Sequence, residues 1–207
     1  MTGLSRSGDE PHGPRGRSID LTSEGSIEAA AASLRDQAPF DLIVVATGIL
    51  RDGSAVPERR LAELNAENLL HLFAVNAVGP GLIAKHFVPL LPRNGRSVFA
   101  ALSARVGSIS DNRLGGWYGY RASKSALNMI IKTLSIELSR THPDAICVSL
   151  HPGTVDTPLS KPFQKSVSPD RLFTPEQSAS HLLDVIDQLT CSESGRCFAW
   201  DGAEIRS

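Results

Sequence analysis

Three short runs constrain the fold of this chain more than any other feature of its 207 residues: residues 40–47 (FDLIVVAT), 96–103 (RSVFAALS) and 145–151 (AICVSLH). Each is almost continuously apolar and shows no alternation with polar side chains. That pattern belongs to strands covered on both faces, as in parallel sheets, and not to strands with one wet face. The stretches between them are helical. Residues 26–35 are rich in Ala behind an N-cap offered by Asp20-Leu21-Thr22-Ser23, and residues 57–64 predict a short helix. Residues 68–91 predict a longer helix that Gly79-Pro80-Gly81 must bend or interrupt, since proline removes an intrahelical hydrogen bond. A strong helix is expected over 118–139, and another over 174–189, opened by Thr174 as N-cap with Pro175 at the first helical position. Residues 196–200 predict a closing strand and 17–21 a short one, while 1–16 read as loop. Strand and helix thus alternate. The expected fold is α/β, a doubly wound parallel sheet in one domain spanning 1–207.

In such sheets ligands sit beyond the carboxyl ends of the strands. Here those ends carry Thr47-Gly48, Ser103 and His151-Pro152-Gly153. The 21 Lys+Arg nearly cancel the 22 Asp+Glu, which leaves no basic excess for a phosphate backbone and argues against a nucleic-acid partner. The longest clean apolar run, residues 42–46, is far shorter than the ~20 residues that span a bilayer. No signal-peptide core follows Met1, so the expectation is a cytoplasmic protein without a membrane role. Cys147, Cys191 and Cys197 lack CxxC spacing and fit free thiols in a reducing compartment. His151 reads as a strand-end residue and no metal is expected, because no second His or carboxylate stands at ligand spacing. Trp117 and Trp200 read as packing anchors.

The sharpest local feature is Tyr120-Arg-Ala-Ser-Lys124. Residues four apart share one helix face. A lysine ammonium beside a phenol lowers the phenol pKa from its usual ~10, so the tyrosine exchanges a proton with a carbonyl or alcohol oxygen near neutral pH. Taken alone, most such pairs are solvated surface neighbours. Context strengthens the reading: Asn76 interrupts an apolar helix within Val75-Asn-Ala-Val-Gly79, Ser103 ends a buried strand, and Pro152-Gly-Thr-Val-Asp-Thr157 follows the next.

With Leu102-Ser-Ala-Arg-Val-Gly-Ser-Ile-Ser-Asp-Asn112 and Gly115-Gly-Trp-Tyr-Gly-Tyr-Arg-Ala-Ser-Lys-Ser-Ala-Leu-Asn128, the chain resembles the short-chain dehydrogenase/reductase family, in its C-factor-like and carbonyl-reductase-like branch, from about residue 17 to 202. The resemblance implies a Rossmann-type sheet and hydride transfer between NADP (or NAD) and a small carbonyl or alcohol substrate. It makes Tyr120 the general acid, Lys124 the residue that lowers the tyrosine pKa and holds the nicotinamide ribose, and Asn76 the holder of a water linking the lysine to solvent. Ser103 would steady the substrate oxygen. Pro152, Gly153, Thr154, Val155 and Thr157, with Gly48, would line the nicotinamide and pyrophosphate; Asp20 would contact adenine. Arg6 sits where NADP-preferring members place a base for the 2′-phosphate, a contact suited to a guanidinium. Helices 68–91 and 120–139 carry more apolar surface than one sheet face needs, so the resemblance implies a homodimer or higher homo-oligomer, with an intramolecular core as the alternative.

Three departures stand out. The branch pattern is Ser-Ser-x-x-Gly with the second serine catalytic, and that position is Ala104. Either Ser103 takes over through a small backbone shift, or Ser108 reaches in, or the tyrosine acts alone. Thr47 replaces the first residues of the family's Asn-Asn-Ala-Gly. No Gly-x-x-x-Gly-x-Gly phosphate loop occurs, since Thr2-Gly3-Leu-Ser-Arg-Ser-Gly8 has the wrong spacing. Residues 1–16 would then include the remnant of a second strand, with the first strand and helix, ~30 residues, absent from an N-terminally truncated sheet. Loss of a central strand leaves two strands unpaired. The alternatives to an oxidoreductase are therefore a noncatalytic binding or regulatory protein of the same fold, or an incomplete gene product unable to hold the dinucleotide; a third reading places the natural start upstream of Met1. Residues 157–172, which would cover the substrate, are irregular and name none.

Overall fold

Apolar runs without polar alternation become the inner strands of a parallel sheet, because only burial on both faces accommodates them. The computed structural model describes residues 2–8, 18–51 and 56–206. Six strands are present among these residues: β1 (Leu42–Val45), β2 (Ser97–Leu102), β3 (Ala145–His151), β4 (Thr154–Val155), β5 (Leu172–Phe173) and β6 (Cys197–Ala199). The main sheet has the order β1-β2-β3-β6 with every pairing parallel, and β4 and β5 form a small parallel ladder of their own. The helices are α1 (Glu24–Ala32), α2 (Ala66–Phe73), α3 (Gly79–Phe87), α4 (Tyr118–Thr141) and α5 (Pro175–Gln188).

The two faces of the sheet are separately filled. On one, Phe99, Ala101 and Cys147 pack with Ile27 of α1, Ile83 and Phe87 of α3, and Leu127, Ile131 and Leu138 of α4. On the other, Val98, Ala100, Ile146, Val148 and Leu150 meet Leu182, Val185 and Ile186 of α5. Successive residues of β2 therefore feed opposite cores, as a period of two requires. All three cysteines are free thiols, with burial pushing Cys147 and Cys197 up to about 12. Among the described residues no helix is long and apolar enough to cross a membrane.

Several elements differ from the sequence expectation. The helix expected over 57–64 is only a 3-10 turn, Leu61–Glu63. The long helix expected over 68–91 starts at Ala66, behind an Asn65 N-cap, and breaks earlier than Pro80. The break is a π-turn, Ala74–Val78, after which Pro80 fits the first turn of α3 without loss, its missing N–H being unneeded there. The irregular 157–172 stretch holds two 3-10 turns and leads into β5. In place of a strand over 17–21, Ser18 makes one parallel bridge to Ser5; Arg17 and most of the predicted N-terminal loop lie outside the described residues.

Among the described residues no strand pairs with the outer edge of β1. It flanks a groove of about 1010 Å³ whose far wall is Leu4, Ser5, Arg6, Ile19 and Asp20. Leu42 and Val44 on this edge are 37% and 42% exposed.

Candidate active site

The site is assembled at the carboxyl ends of β1, β2 and β3, against the first two turns of α4. That helix starts behind Trp117, the one non-glycine residue with positive φ (52°) among the described residues. Glu58 sets this start. Its backbone carbonyl accepts the Trp117 N–H at 2.5 Å, and its carboxylate, in a residue only 4% exposed, accepts the Gly119 N–H at 3.2 Å. A carboxylate is favoured there by the unsatisfied N–H groups and positive end of the helix dipole. A Cβ on Gly119 would lie 2.7 Å from Leu72 and 3.1 Å from the Glu58 carboxylate, so only glycine lets the strut approach.

One turn on, Tyr120 and Lys124 are both buried. The lysine Nζ donates to the Leu102 carbonyl at 2.8 Å and lies 5.9 Å from the centre of the Tyr120 ring. Two glycines admit it. A Cβ on Gly48 would sit 3.1 Å from Nζ, and one on Gly107 only 2.8 Å from the lysine Cβ. The expected fall of the tyrosine pKa does not occur in this form of the protein. Burial dominates both groups: it pushes Tyr120 up to about 12 and Lys124 down to about 8. Helical spacing announces the neighbour but not the desolvation, which acts with the opposite sign.

Asn76 sits in the π-turn, fully buried. Its Oδ1 accepts the Ile49 N–H at 2.8 Å, and its Nδ2 donates to the Ile49 carbonyl at 2.8 Å and to Ser123 Oγ at 3.1 Å. The side chain therefore clamps the turn after β1, including Gly48, against α4. These three bonds fix the amide beside the lysine.

The two candidate serines separate cleanly. Ser103 is 4% exposed, lines the cavity above Tyr120, and its Oγ is a buried hydroxyl without a hydrogen-bond partner. Ser108 is spent elsewhere: its hydroxyl bonds the Arg206 carbonyl and accepts the Asp111 N–H at 3.1 Å. Thr47 Oγ1 is likewise buried and unpartnered, in keeping with a substitution that weakens the support expected at this strand end.

The residues expected to hold a dinucleotide fall into two adjoining hollows. Arg6 and Asp20 line the groove beside β1, where Asp20 accepts the N–H and hydroxyl of Thr22 and is held below the usual carboxylate range by those bonds, with a smaller pull from Arg6. Pro152, Gly153, Thr154, Val155 and Thr157 line a second cavity of about 750 Å³ together with Ser103, Tyr120 and Lys124. Val44, Ala46, Thr47 and Gly48 border both, so the hollows join across the end of β1. The 152–157 turn is fixed from behind: Ser178 of α5 donates to the Pro152 carbonyl at 2.9 Å, and Asp156 N–H to Phe173 at 2.8 Å. His151 also lines this cavity, neutral because burial lowers it to about 4.

Glu58, Leu50, Leu159 and Phe163 belong to this site and were not singled out from the sequence. Leu50, Ala104 and Tyr120 form a small apolar cluster with Val106, Trp117, Leu159 and Phe163 around them. Phe163 left a signal as the one aromatic residue within 157–172; Glu58 left none.

A sequence profile described as enoyl-(acyl carrier protein) reductase matches residues 6–184, most of the chain. The chain belongs to the short-chain dehydrogenases/reductases. This short-chain dehydrogenase/reductase is 34% identical over 190 residues to 1-hydroxy-2-glutathionyl-2-methyl-3-butene dehydrogenase of Rhodococcus sp., covering 91% of the chain and 78% of that protein. Its fold matches the carbonyl reductase Sniffer of D. melanogaster with TM-score 0.78 at 28% identity, over 92% of this chain and 77% of that one. A Burkholderia multivorans chain assigned to the same family, solved with bound NADP, matches with TM-score 0.74 at 25% identity, covering 92% and 76%. The short-chain dehydrogenase/reductase described here is accordingly an oxidoreductase.

Proposed function

We propose that this oxidoreductase uses NADP (or NAD) to interconvert a small carbonyl compound and its alcohol, with Tyr120 as the proton donor. The observation that carries this reading is the buried Tyr120–Lys124 pair beneath a cavity that opens, past Gly48, into a groove bearing Arg6 and Asp20. The fit to a dinucleotide is good at both ends. Arg6, exposed beside Asp20, suits the adenosine end and its 2′-phosphate; Gly48, Lys124, Pro152–Thr157 and Ser103 suit the nicotinamide end. Bound there, the nicotinamide supplies or accepts a hydride. The NADP in the Burkholderia multivorans neighbour supports this cofactor class.

The protein's own part is proton handling. Tyr120, pushed up to about 12, keeps its proton throughout the physiological range and is therefore an acid, donating to the oxygen of a carbonyl under reduction. Lys124 in its charged form stabilises the negative charge that develops on the phenolic oxygen. Asn76 holds Gly48 and Ile49 in place beside the lysine and, through its remaining acceptor capacity, would receive the water that links it to solvent. Ser103, with its unpartnered hydroxyl, steadies the substrate oxygen, so Ser103→Ala should lower kcat by about 10–100-fold while Ser108→Ala leaves kcat within twofold. Equal losses in the two variants would reverse that assignment.

The pH dependence follows from Lys124. Reductive kcat/KM should fall as pH rises through about 8, where the buried lysine loses its proton, while Tyr120 stays protonated. Stability is not set by the lysine alone. Lys124 binds fewer protons folded than unfolded between about 8 and ~10.5, but Cys147 and Cys197, held up to about 12, bind more folded than unfolded above ~8.5, so from there upward the two thiols outweigh the lysine and stability falls with rising pH. A rate profile and a denaturation series from about pH 8 to ~10.5 check both signs.

Leu70, Val78, Met129 and Ile136 are exposed on the two long helical segments and would form the contact of a homodimer. Fluorescence titration with NADPH tests the reading as a whole. Saturable binding tighter than ~100 μM, about −5.5 kcal/mol, is expected; its absence would return the chain to the noncatalytic alternative.

A further inference from the structure

The cavity over Tyr120 is unusual in where its polar groups lie. Ser103, Tyr120 and Lys124 are at its floor, and Thr154 and Thr157 lie on the side assigned to the dinucleotide. The opposite wall is hydrocarbon. Leu50, Ala104, Val106, Trp117, Leu159 and Phe163 come from four separate segments and pack around the tyrosine ring as a cluster distinct from the two cores of the sheet. Such a cluster joins no helix to the sheet. It surrounds one phenol. Trp117 meets Phe163 edge-on at 4.9 Å between ring centres and Tyr120 at 6.3 Å, so the indole links Phe163 to the tyrosine ring.

Charge is accounted for on every side. Lys124 Nζ is engaged by the Leu102 carbonyl. The polar side chains of the covering loop satisfy one another: Ser160 Oγ bonds the Val155 carbonyl and accepts from Gln164 at 2.8 Å, and Lys161 reaches Asp156 outside the cavity at 3.3 Å. Arg105 stands at the rim, its side chain 49% exposed and 3.6 Å from Asp111. His151 is uncharged at neutral pH. An ionised group placed against the Trp117–Phe163 wall would lose its water and meet only cations that are already engaged, Lys124 by the Leu102 carbonyl and Arg105 by Asp111, which is unfavourable. A planar or alicyclic hydrocarbon would instead cover both rings.

We propose that the substrate of this site is an uncharged ketone or aldehyde whose carbonyl is attached directly to an aromatic or alicyclic ring, the ring lying against Trp117 and Phe163 and the oxygen reaching Tyr120 and Ser103. This rests on the oxidoreductase reading and narrows it. In the reductive direction, the reduced dinucleotide gives a hydride to the carbonyl carbon and Tyr120 gives a proton to its oxygen. The C=O becomes CH–OH, the dinucleotide is oxidised, and the tyrosine is reprotonated from solvent. Methyl Ala104, in place of the family's second serine, keeps one more hydroxyl out of that wall.

Calorimetric titration of the protein with acetophenone and with 4-acetylbenzoate, which differ by one para carboxylate, tests the proposal with and without NADP⁺. Acetophenone is expected to bind at least tenfold tighter. Trp117→Ala and Phe163→Ala should each weaken acetophenone about tenfold and leave 4-acetylbenzoate unchanged, and Trp117→Phe should recover most of the loss. Equal affinity for the two ketones, binding of neither, or full acetophenone affinity in both alanine variants would overturn it. NADPH oxidation is read separately. Discrimination between the ketones without NADPH oxidation sinks the oxidoreductase step and leaves the cavity preference standing; oxidation of NADPH at equal rates with both ketones sinks the preference alone.

Discussion

Replacing Tyr120 by Phe is expected to lower turnover by at least ~100-fold, the share that a positioned general acid contributes. The change removes one hydroxyl and leaves the ring, which is 8% exposed and held by Leu50, Ala104 and Trp117. Packing is therefore conserved, and the thermal midpoint should stay close to that of the parent. The loss should fall on kcat and kcat/KM alike, since the proton is delivered only as the carbonyl is reduced. Steady-state NADPH oxidation with calorimetric unfolding on the same preparation checks both halves. Full activity in Tyr120→Phe would remove Tyr120 from the mechanism.

Gly153→Ala is expected to cost the chain several kcal/mol, on the order of half of a typical domain's stability. Gly153 has φ +76°, and a Cβ there would lie 2.6 and 2.8 Å from two ring atoms of Phe173 and 3.0 Å from Trp200. Those rings cannot yield easily: Phe173 is 4.6 Å from Trp200 and 5.0 Å from His181, centre to centre. Left-handed strain and overpacking each cost ~1–3 kcal/mol, for a combined loss of about 2–6 kcal/mol. At ~2–4 °C per kcal/mol for a chain of this length, the midpoint should fall by roughly 4–24 °C. Gly202→Ala is the control, because φ there is +80° with nothing within 4 Å of the added carbon. It carries the backbone strain alone and should lose about 1 kcal/mol. Similar losses at the two positions would show that Phe173 moves aside.

The parts of the fold legible from sequence were those set by local composition. Residues 40–47, 96–103 and 145–151 read as doubly covered strands because their neighbours in the chain already say so, and the two cores fill as expected. Where a distant contact decided, the sequence misled. Residues 57–64 have helix-forming composition, yet Glu58 is drawn into the start of α4, sixty residues on, and a single 3-10 turn remains. Asn76 was visible as a polar residue in an apolar helix; that its amide would hold Ile49, and the helix relax into a π-turn around it, was not. The choice between Ser103 and Ser108 rested on the carbonyl of Arg206, almost a hundred residues away. The Tyr120–Lys124 pair was found from spacing, and its acid strengths were reversed by burial that spacing does not encode.

The open edge of β1 should have a signature in amide exchange. The Asp41 carbonyl accepts the Val98 N–H at 2.8 Å, so the peptide groups of Asp41, Ile43 and Val45 turn toward β2 and those of Leu42 and Val44 turn into the groove. In deuterated buffer, the Ile43 and Val45 amides of the 207-residue chain should exchange slowly and those of Leu42 and Val44 orders of magnitude faster, although all four share one strand. Uniform protection along β1 would mean that the edge is paired in solution. The alternation, read residue by residue, makes this short strand a built-in reporter: anything that seats beside it with backbone bonds slows the Leu42 and Val44 amides and leaves those of Ile43 and Val45 unchanged.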